Sequence, residues 1–67
     1  MEKLSVSEKI IAYRTKNKLT QKVLGDRLGV SAQAVSKWER RQSYPDITLL
    51  PALAKLIGCR IDEFFEG

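Results

Sequence analysis

The stretch T-Q-K-V-L-G-D-R-L-G-V-S-A-Q-A-V-S-K-W-E-R, residues 20–40, decides the fold of this chain. Thr20 and Ser31 are of the residue types that cap the N-termini of helices, and Gly29 is of the type that ends them. Apolar residues recur at helical spacing in two groups, Leu24 with Leu28 and Val35 with Trp38. The stretch therefore predicts two short helices joined by a very tight turn, at about 21–28 and 32–40.

Outward from this stretch, apolar residues keep recurring three and four apart, and no run alternates as a strand does. We therefore predict an all-α fold with three further helices, one at about 6–17, one ending at Gly58 and one at about 61–65. Ser5 and Glu8 predict a capping box at the start of the first helix. Pro51 leaves two alternatives for the fourth: a bend in a helix capped by Asp46, or a cap at Thr48 that puts the proline in the first turn.

Length and composition exclude several classes of protein. With 67 residues, the chain is predicted to form one small domain over residues 1–67. Histidine is absent and Cys59 is the single cysteine, which excludes His-based catalysis, Cys/His zinc clusters and an internal disulfide. We expect no enzyme, no cofactor and no metal. Because neither a membrane-length apolar run nor a secretion signal is present, we expect a cytoplasmic protein with Cys59 buried and reduced.

Positive charge is concentrated in the first two-thirds of the chain. Residues 1–45 carry ten Lys/Arg and four Asp/Glu, whereas residues 46–67 carry two and four, so the net charges are +6 and −2. This asymmetry fits a polyanion-binding surface backed by a neutral or acidic scaffold. Scattered surface lysines give the same composition, so the charge by itself leaves both interpretations open.

Four segments occur together in the order and spacing of a known family. They are Leu19-Thr20-Gln21, Leu28-Gly29-Val30-Ser31, Val35-Ser36-Lys37-Trp38-Glu39-Arg40 and Tyr44-Pro45-Asp46. The chain thereby resembles the lambda-repressor-like helix-turn-helix domains of the XRE/Cro type, mostly bacterial and phage transcriptional regulators. The resemblance covers nearly the whole chain. It implies a compact five-helix fold in which helices two and three form the DNA-binding unit.

The third helix faces the base edges of DNA if it docks in the major groove as it does in that family. Its outward side chains near the N-terminal end are Ala32, Gln33, Ser36 and Lys37. Gln33 is the first choice for a base contact, because a glutamine binds adenine N6 and N7 together. Lys37 can donate to guanine O6 or N7, with a phosphate or solvent contact as the alternative. Ala32 can touch a thymine methyl group.

Contacts to the DNA backbone are expected around the same two helices. The resemblance assigns Gln21, at the start of the second helix, to a phosphate. Further phosphate contacts are expected from Arg14, Lys22, Ser31, Arg40, Arg41 and Gln42. Arg41 departs from the family, which commonly has a left-handed glycine there. Either this arginine is strained by about 1–2 kcal/mol or the turn takes another path.

Two features concern how the third helix is held. Arg14 and Glu39 are charged residues at inward-leaning positions, and in similar proteins such a pair bridges the first helix and the end of the third. A bidentate Arg–carboxylate pair fixes the angle at which that helix is presented. Gly25 lies where the two central helices cross closely, which favours a small residue. The alternative is a tolerated mid-helix glycine that costs about 1 kcal/mol.

One such helix contacts only a few base pairs, so we expect a homodimer on half-sites about 34 Å apart. The predicted interface is the apolar surplus around helices four and five, unless these residues complete the core: Leu49, Leu56, Ile61 and Phe65. We predict a sequence-specific transcriptional regulator that occupies a double-stranded DNA operator as a repressor. An activator or an antitoxin-type autoregulator is equally compatible. The alternative from another class is a protein-interaction adaptor.

Overall fold

The computed structural model describes residues 3–66. Met1, Glu2 and Gly67, which the predicted domain includes, lie outside the described residues. In chain order the elements are strand β1 (Lys3–Leu4), helices α1 (Val6–Lys16), α2 (Gln21–Leu28) and α3 (Ala32–Glu39), a first 3₁₀ helix (Ile47–Leu49), helix α4 (Leu50–Ile57), a second 3₁₀ helix (Ile61–Phe64) and strand β2 (Phe65–Glu66). The predicted all-α fold is confirmed, with one pair of two-residue strands added to it.

The predicted caps of the two central helices are confirmed. The Thr20 side chain accepts a hydrogen bond from the N–H of Val23 at 3.1 Å, and the Ser31 side chain accepts one from Ala34 at 3.1 Å. Each of these bonds satisfies a backbone donor without an intrahelical partner and stabilises its helix by roughly 1 kcal/mol. Gly29 ends α2 in the left-handed conformation, at φ 76°. These residues confine the connection between α2 and α3 to a very short turn.

The predicted capping box at the start of α1 is wrong. Ser5 precedes α1, but its side chain makes no capping hydrogen bond. Its Oγ donates instead to the carbonyl oxygen of Glu63 at 2.9 Å, and its backbone N–H donates to the carbonyl of Phe64 at 2.7 Å. Glu8 pairs with Arg41. Ser5 is buried where the second 3₁₀ helix meets this end of α1. Its hydroxyl therefore forms a tertiary hydrogen bond to Glu63 instead of the local capping bond that the sequence pattern predicts.

The fifth helix, predicted at about 61–65, is a 3₁₀ helix that ends one residue earlier. Phe65 has extended backbone angles, φ −112° and ψ 119°, and begins β2. This strand pairs antiparallel with β1, with Lys3 opposite Glu66 and Leu4 opposite Phe65. Two residues are too few to show an alternating pattern, so the strands carry no periodic signal in the sequence.

Pro51 lies in the first turn of α4, although Thr48 is not the cap of that helix. Asp46 caps the preceding 3₁₀ helix: its Oδ1 accepts hydrogen bonds from the N–H of Thr48 at 2.9 Å and from the Thr48 hydroxyl at 2.8 Å. These bonds, the backbone one foremost, lower the pKa of the Asp46 carboxyl group. Because α4 then begins at Leu50, Pro51 lies in the first turn, where backbone N–H groups have no intrahelical acceptor. The missing N–H of Pro51 therefore costs no helical hydrogen bond.

The core receives apolar side chains from all four α-helices and from the second 3₁₀ helix. Its buried members are Val6, Ile10, Leu24, Val35, Trp38, Leu50, Leu53, Ala54 and Phe64. Burying a large apolar side chain of this kind contributes roughly 1.5–3 kcal/mol. Phe64 is fully buried in this core and anchors the short second 3₁₀ helix to it.

Three points raised by the composition can be compared with the structure. Cys59 is a free thiol that is only partly buried, and this burial is the main cause that raises its pKa. None of the helices within residues 3–66 combines the length and the apolar character needed to cross a membrane. Over the same residues, His, Cys, Asp and Glu form no group of three or more that could hold a metal ion.

Candidate nucleic-acid interface

The turn between α2 and α3 depends on Gly25. The carbonyl oxygen of Gly25 accepts a hydrogen bond from the N–H of Val30 at 2.9 Å. A Cβ atom at position 25 would lie 2.6 Å from the carbonyl oxygen of Val30 and 3.2 Å from the backbone of Ser31. The close approach predicted at Gly25 is therefore made to the backbone of the turn, and it fixes the direction in which α3 leaves that turn.

The outward side of α3 carries the residues predicted to contact bases. Val35 and Trp38 are buried and anchor the opposite side of the helix in the core. The outward residues lie three and four apart and form one stripe, called here the α3 stripe: Ala32, Gln33, Ser36 and Lys37. Gln33 and Lys37 are exposed, whereas the two smaller side chains are half-buried. The two residues with the longest polar side chains are therefore the ones that protrude furthest from the helix.

Arg14 and Glu39 form a bidentate pair that ties α1 to the end of α3. Arg14 Nε and Nη2 donate to the two carboxylate oxygens of Glu39 at 2.7 and 3.0 Å, and Nη1 donates to the carbonyl of Leu19 at 3.1 Å. The hydrogen bond to Glu39 is the main cause that raises the pKa of the Arg14 guanidinium. The side chain of Glu39 is 8% exposed and that of Arg14 25%. Removing one partner of a fully buried pair costs about 3–5 kcal/mol, and the partial exposure of Arg14 lowers that figure here.

Gln21 joins this pair. Its side-chain amide Nε2 donates to Glu39 Oε1 at 3.2 Å. A glutamine amide carries a second N–H and an acceptor oxygen, so the contact to Glu39 leaves groups for a phosphate. The start of α2, the end of α3 and the end of α1 are thus joined by one cluster of three side chains. No local pattern signals it, because the partners are distant in sequence.

The other predicted phosphate contacts lie at exposed positions around α2 and α3. Lys22 forms an exposed ion pair with Asp26 at 3.1 Å, which contributes little to stability. The hydroxyl of Ser31 is occupied as a cap acceptor, as described above. Arg40 Nε makes a long hydrogen bond to a carbonyl of its own helix, at 3.4 Å, and Gln42 is exposed. The structure therefore leaves Lys22, Arg40 and Gln42 accessible to solvent.

Arg41 has the left-handed backbone, at φ 60°, that the family commonly fills with glycine. Of the two alternatives for this turn, the structure has the strained arginine, at a cost of about 1–2 kcal/mol. Its Nε donates to the Oγ of buried Ser7 at 3.0 Å, and its Nη2 donates to Glu8 Oε1 at 3.0 Å. These contacts offset the strain. They also compete with the predicted phosphate contact of Arg41, which stays a prediction.

Lys18 is the second non-glycine residue with a positive φ among residues 3–66, at 55°. Hydrogen bonds hold the turn on both sides of it, because its own N–H donates to the carbonyl of Thr15 at 3.2 Å and the N–H of Leu19 donates to the carbonyl of Arg14 at 2.9 Å. The same estimate of about 1–2 kcal/mol of strain applies here. Neither Gly nor Pro occurs in this turn, so the sequence did not signal the conformation.

Two capped helices around a short turn are an arrangement that known proteins share. Residues 10–64 match the helix-turn-helix family. The chain belongs to this family. The matched residues include α2, α3 and the turn between them, so the predicted resemblance is confirmed in the part of the chain that carried it.

Two curated relatives of this helix-turn-helix chain are named regulators. The HTH-type transcriptional activator BcrR of Enterococcus faecalis is 38% identical over 64 residues, which cover 96% of this chain and 31% of BcrR. Repressor protein C2 of Salmonella phage P22 is 40% identical over 62 residues, which cover 92% of this chain and 29% of C2. The chain thus spans less than a third of the length of either relative.

A solved structure shares the arrangement of the helices. The crystal structure of the P22 c2 repressor in complex with a synthetic operator superposes with a TM-score of 0.79 at 41% identity, covering 88% of this chain and 89% of the other. The predicted lambda-repressor-like fold is confirmed by this similarity, although the fifth helix is the short 3₁₀ helix described above.

The residues predicted as a dimer interface fall into two groups in the helix-turn-helix chain. Leu49 and Leu56 are half-buried and pack against the core. Ile61 and Phe65 are each 41% exposed. Leu49 and Leu56 therefore complete the core, whereas Ile61 and Phe65 belong to an apolar surface.

Proposed function

We propose that this chain binds specific sequences of double-stranded DNA and regulates transcription, as a repressor that occupies an operator. The observation that carries the proposal is the α3 stripe, a polar surface turned outward by the burial of Val35 and Trp38. The likeness to a repressor solved with its operator supports it, as does the excess positive charge of residues 1–45. One relative is named an activator and the other a repressor, so an activator is equally compatible. The antitoxin-type autoregulator expected from the sequence stays an alternative as well.

The proposed base contacts use the α3 stripe in the major groove. Gln33 binds adenine through N6 and N7, and Lys37 donates to guanine, each good pair discriminating by about 1–3 kcal/mol. Ser36 donates to or accepts from a base edge, and Ala32 touches a thymine methyl group. The proposed activity is DNA binding without catalysis. The proposed location of the protein is the cytoplasm.

The proposed backbone contacts set the position of α3 on the duplex. They come from Arg14, Gln21, Lys22, Ser31, Arg40, Arg41 and Gln42. Because Gln21 is bonded to Glu39 at the end of α3, a phosphate held by Gln21 is coupled directly to the element that contacts bases. Phosphate contacts of this kind release counterions, so affinity falls steeply as the salt concentration rises.

A homodimer is the proposed working form. The described chain measures 32 × 23 × 22 Å, and successive half-sites on one side of a duplex lie about 34 Å apart. Two copies bound one helical turn apart are thus close enough to touch. Ile61 and Phe65 are the exposed part of the proposed interface, whereas Leu49 and Leu56 are half-buried against the core.

The proposal is tested by selecting bound sequences from a random duplex pool at two salt concentrations. The parent chain is expected to yield a palindromic consensus. Gln33→Ala is expected to relax the preference at one position in each half. Gln42→Ala is the matched control, since it removes another exposed glutamine that is assigned to a phosphate and is expected to weaken binding uniformly without changing the consensus. Absence of any consensus, with weak binding that vanishes as salt rises, would contradict the proposal.

The alternative function, a protein-interaction adaptor, has one observation in its favour. Tyr44 and Ile47 are 52% and 76% exposed, and with Phe65 they border an apolar groove of about 190 Å³. Exposed apolar side chains next to such a groove are typical of protein contacts. The same selection experiment separates the two functions, because an adaptor yields no DNA consensus.

A further inference from the structure

A groove of about 440 Å³ lies between α1 and the end of α4, and none of the residues proposed to contact DNA lines it. Four of its lining residues share one face of α1, one follows α1 and one ends α4: Lys9, Ala12, Tyr13, Lys16, Asn17 and Ile57. Because one wall is a helix face and the other a single isoleucine, the groove is open. It therefore suits a segment of polypeptide laid along α1, whereas a small molecule would stay largely in water.

The floor of this groove is apolar and consists of Ala12, Tyr13 and Ile57. Tyr13 and Ile57 are half-buried and pack against the core, and Ala12 is exposed. The small side chain of Ala12 leaves open the space that a longer residue would fill. Apolar surface that is open in this way gains free energy when an apolar side chain covers it.

The charged groups of the groove are both positive. Lys9 and Lys16 lie on the same face of α1, about two turns or 10 Å apart along its axis. No acidic residue lines the groove, and neither lysine belongs to an ion pair in the part of the chain that the structure describes. The acidic residues of the second 3₁₀ helix have other partners, since Asp62 pairs with Arg60 and Glu63 accepts from the Arg60 N–H. The two lysines are thus left for the acidic groups of a partner.

The groove lies on a different side of α1 from the residue that ties this helix to α3. Arg14 follows Lys9 by five residues, which turns it by about 140° around the helix axis. Both carboxylate oxygens of Glu39, at the end of α3, accept from Arg14. A segment bound in the groove therefore leaves this ion pair and the α3 stripe uncovered.

We propose that this groove docks an acidic segment of a partner protein, with an apolar side chain over Ala12 and carboxylates at Lys9 and Lys16. From the separation of the two lysines, the carboxylates of an extended segment stand about three or four residues apart, on either side of the apolar residue. The occupant is a protein rather than DNA, because an apolar floor is covered favourably by an apolar side chain and not by a phosphate. This interaction goes beyond the proposed function, because it needs no DNA.

The test begins with a library of random peptides displayed on phage and selected on the intact chain. The enriched peptides are expected to carry Asp or Glu on both sides of an apolar residue. The most enriched peptide is then labelled with a fluorophore and titrated by anisotropy. Lys9→Glu and Lys16→Glu should each weaken its binding about tenfold, since each replaces an attraction by a repulsion. Ala12→Gln should also weaken it, because a longer polar side chain fills the floor without changing the charge.

Lys55→Glu is the charge-matched control, since Lys55 is exposed on α4 and does not line the groove. It should bind the peptide as the parent does. The melting temperatures of all four variants are measured alongside, and parental values show that a loss of binding is not a loss of fold.

Several outcomes overturn the proposal. These are the absence of enriched peptides, enriched peptides without acidic residues, and a loss of binding in Lys55→Glu equal to that in the groove variants. Displacement of the peptide by a short DNA duplex would make the groove part of the DNA surface. Self-association of the parent that Lys16→Glu abolishes, measured by sedimentation, would make a second copy the occupant. A parent that binds the peptide but no DNA would reject the proposed function alone.

Discussion

Gly25 is a residue at which one methyl group decides the sign of a stability change. Alanine is normally the better helix residue by about 1 kcal/mol, so Gly25→Ala would stabilise the chain if this glycine were only tolerated. Its Cβ would, however, lie 2.6 Å from the Val30 carbonyl oxygen, which is backbone and has little freedom to move. We expect a net loss of about 1–3 kcal/mol, measured as a lower midpoint in thermal or urea unfolding. A higher midpoint would show that the turn moves to accommodate the methyl group, and that the greater helix propensity of alanine sets the net stability.

Single residues differ in how far they could be predicted from the sequence. The caps at Thr20 and Ser31 act on backbone within three residues, so a local pattern predicts them. The bond from Gln21 to Glu39 joins residues 18 apart, and only the packed fold creates it. Ser5 shows the converse, because a partner 58 residues away took the hydroxyl that a local pattern assigned to a cap.

Among the elements, the first 3₁₀ helix has a stability that depends on pH in a predictable direction. The bonds from Thr48 lower the pKa of Asp46 in the folded chain, below its ordinary unfolded value of about 3.9. The stabilisation is therefore complete above that unfolded value and is lost as the pH falls through the lowered, folded pKa. Asp46→Asn keeps an acceptor without a charge, so its melting temperature should fall less steeply on acidification than that of the parent.

Thr48→Val refines this comparison, because it removes the hydroxyl donor and leaves the backbone donor to Asp46. Its melting curve is expected to show an acid dependence between those of the parent and Asp46→Asn. Parallel loss of stability in all three chains would refute the role given to Asp46. The sequence predicts this element only in part, since Asp46 is of a capping type but Pro51 leaves the start of α4 open between two residues.

At the scale of the whole molecule, the dimensions of the chain predict how two copies share a duplex. On duplexes with two half-sites one turn apart, about 10 base pairs, the second copy is expected to bind more tightly than the first. A further half-turn of spacing places the copies on opposite sides of the DNA and should abolish that gain. Gel-shift titrations of both duplexes, with a single half-site as control, measure it. Equal binding at both spacings would mean that bound copies do not interact.

The overall fold could be predicted further than the site. Helical spacing and the caps predict where α2 and α3 lie, and the match over residues 10–64 agrees with that prediction. The sequence could not predict which apolar residues are exposed to a partner. Apolar residues at helical spacing form the same pattern whether they are buried in the core or exposed on the surface. Leu49 and Phe65 came from the same pattern, and the structure separates them.

The pairing of β1 with β2 has a consequence for the order of folding. It closes a loop of about sixty residues, which carries the largest entropic cost of any contact between elements of this chain. The turn between α2 and α3 closes over only a few residues, so the helix-turn-helix unit is favoured to assemble early and the chain ends to join late. Contacts made late and over such a short strand are also the first to fray. The surface proposed to meet DNA can therefore remain assembled while the ends of the chain open and close.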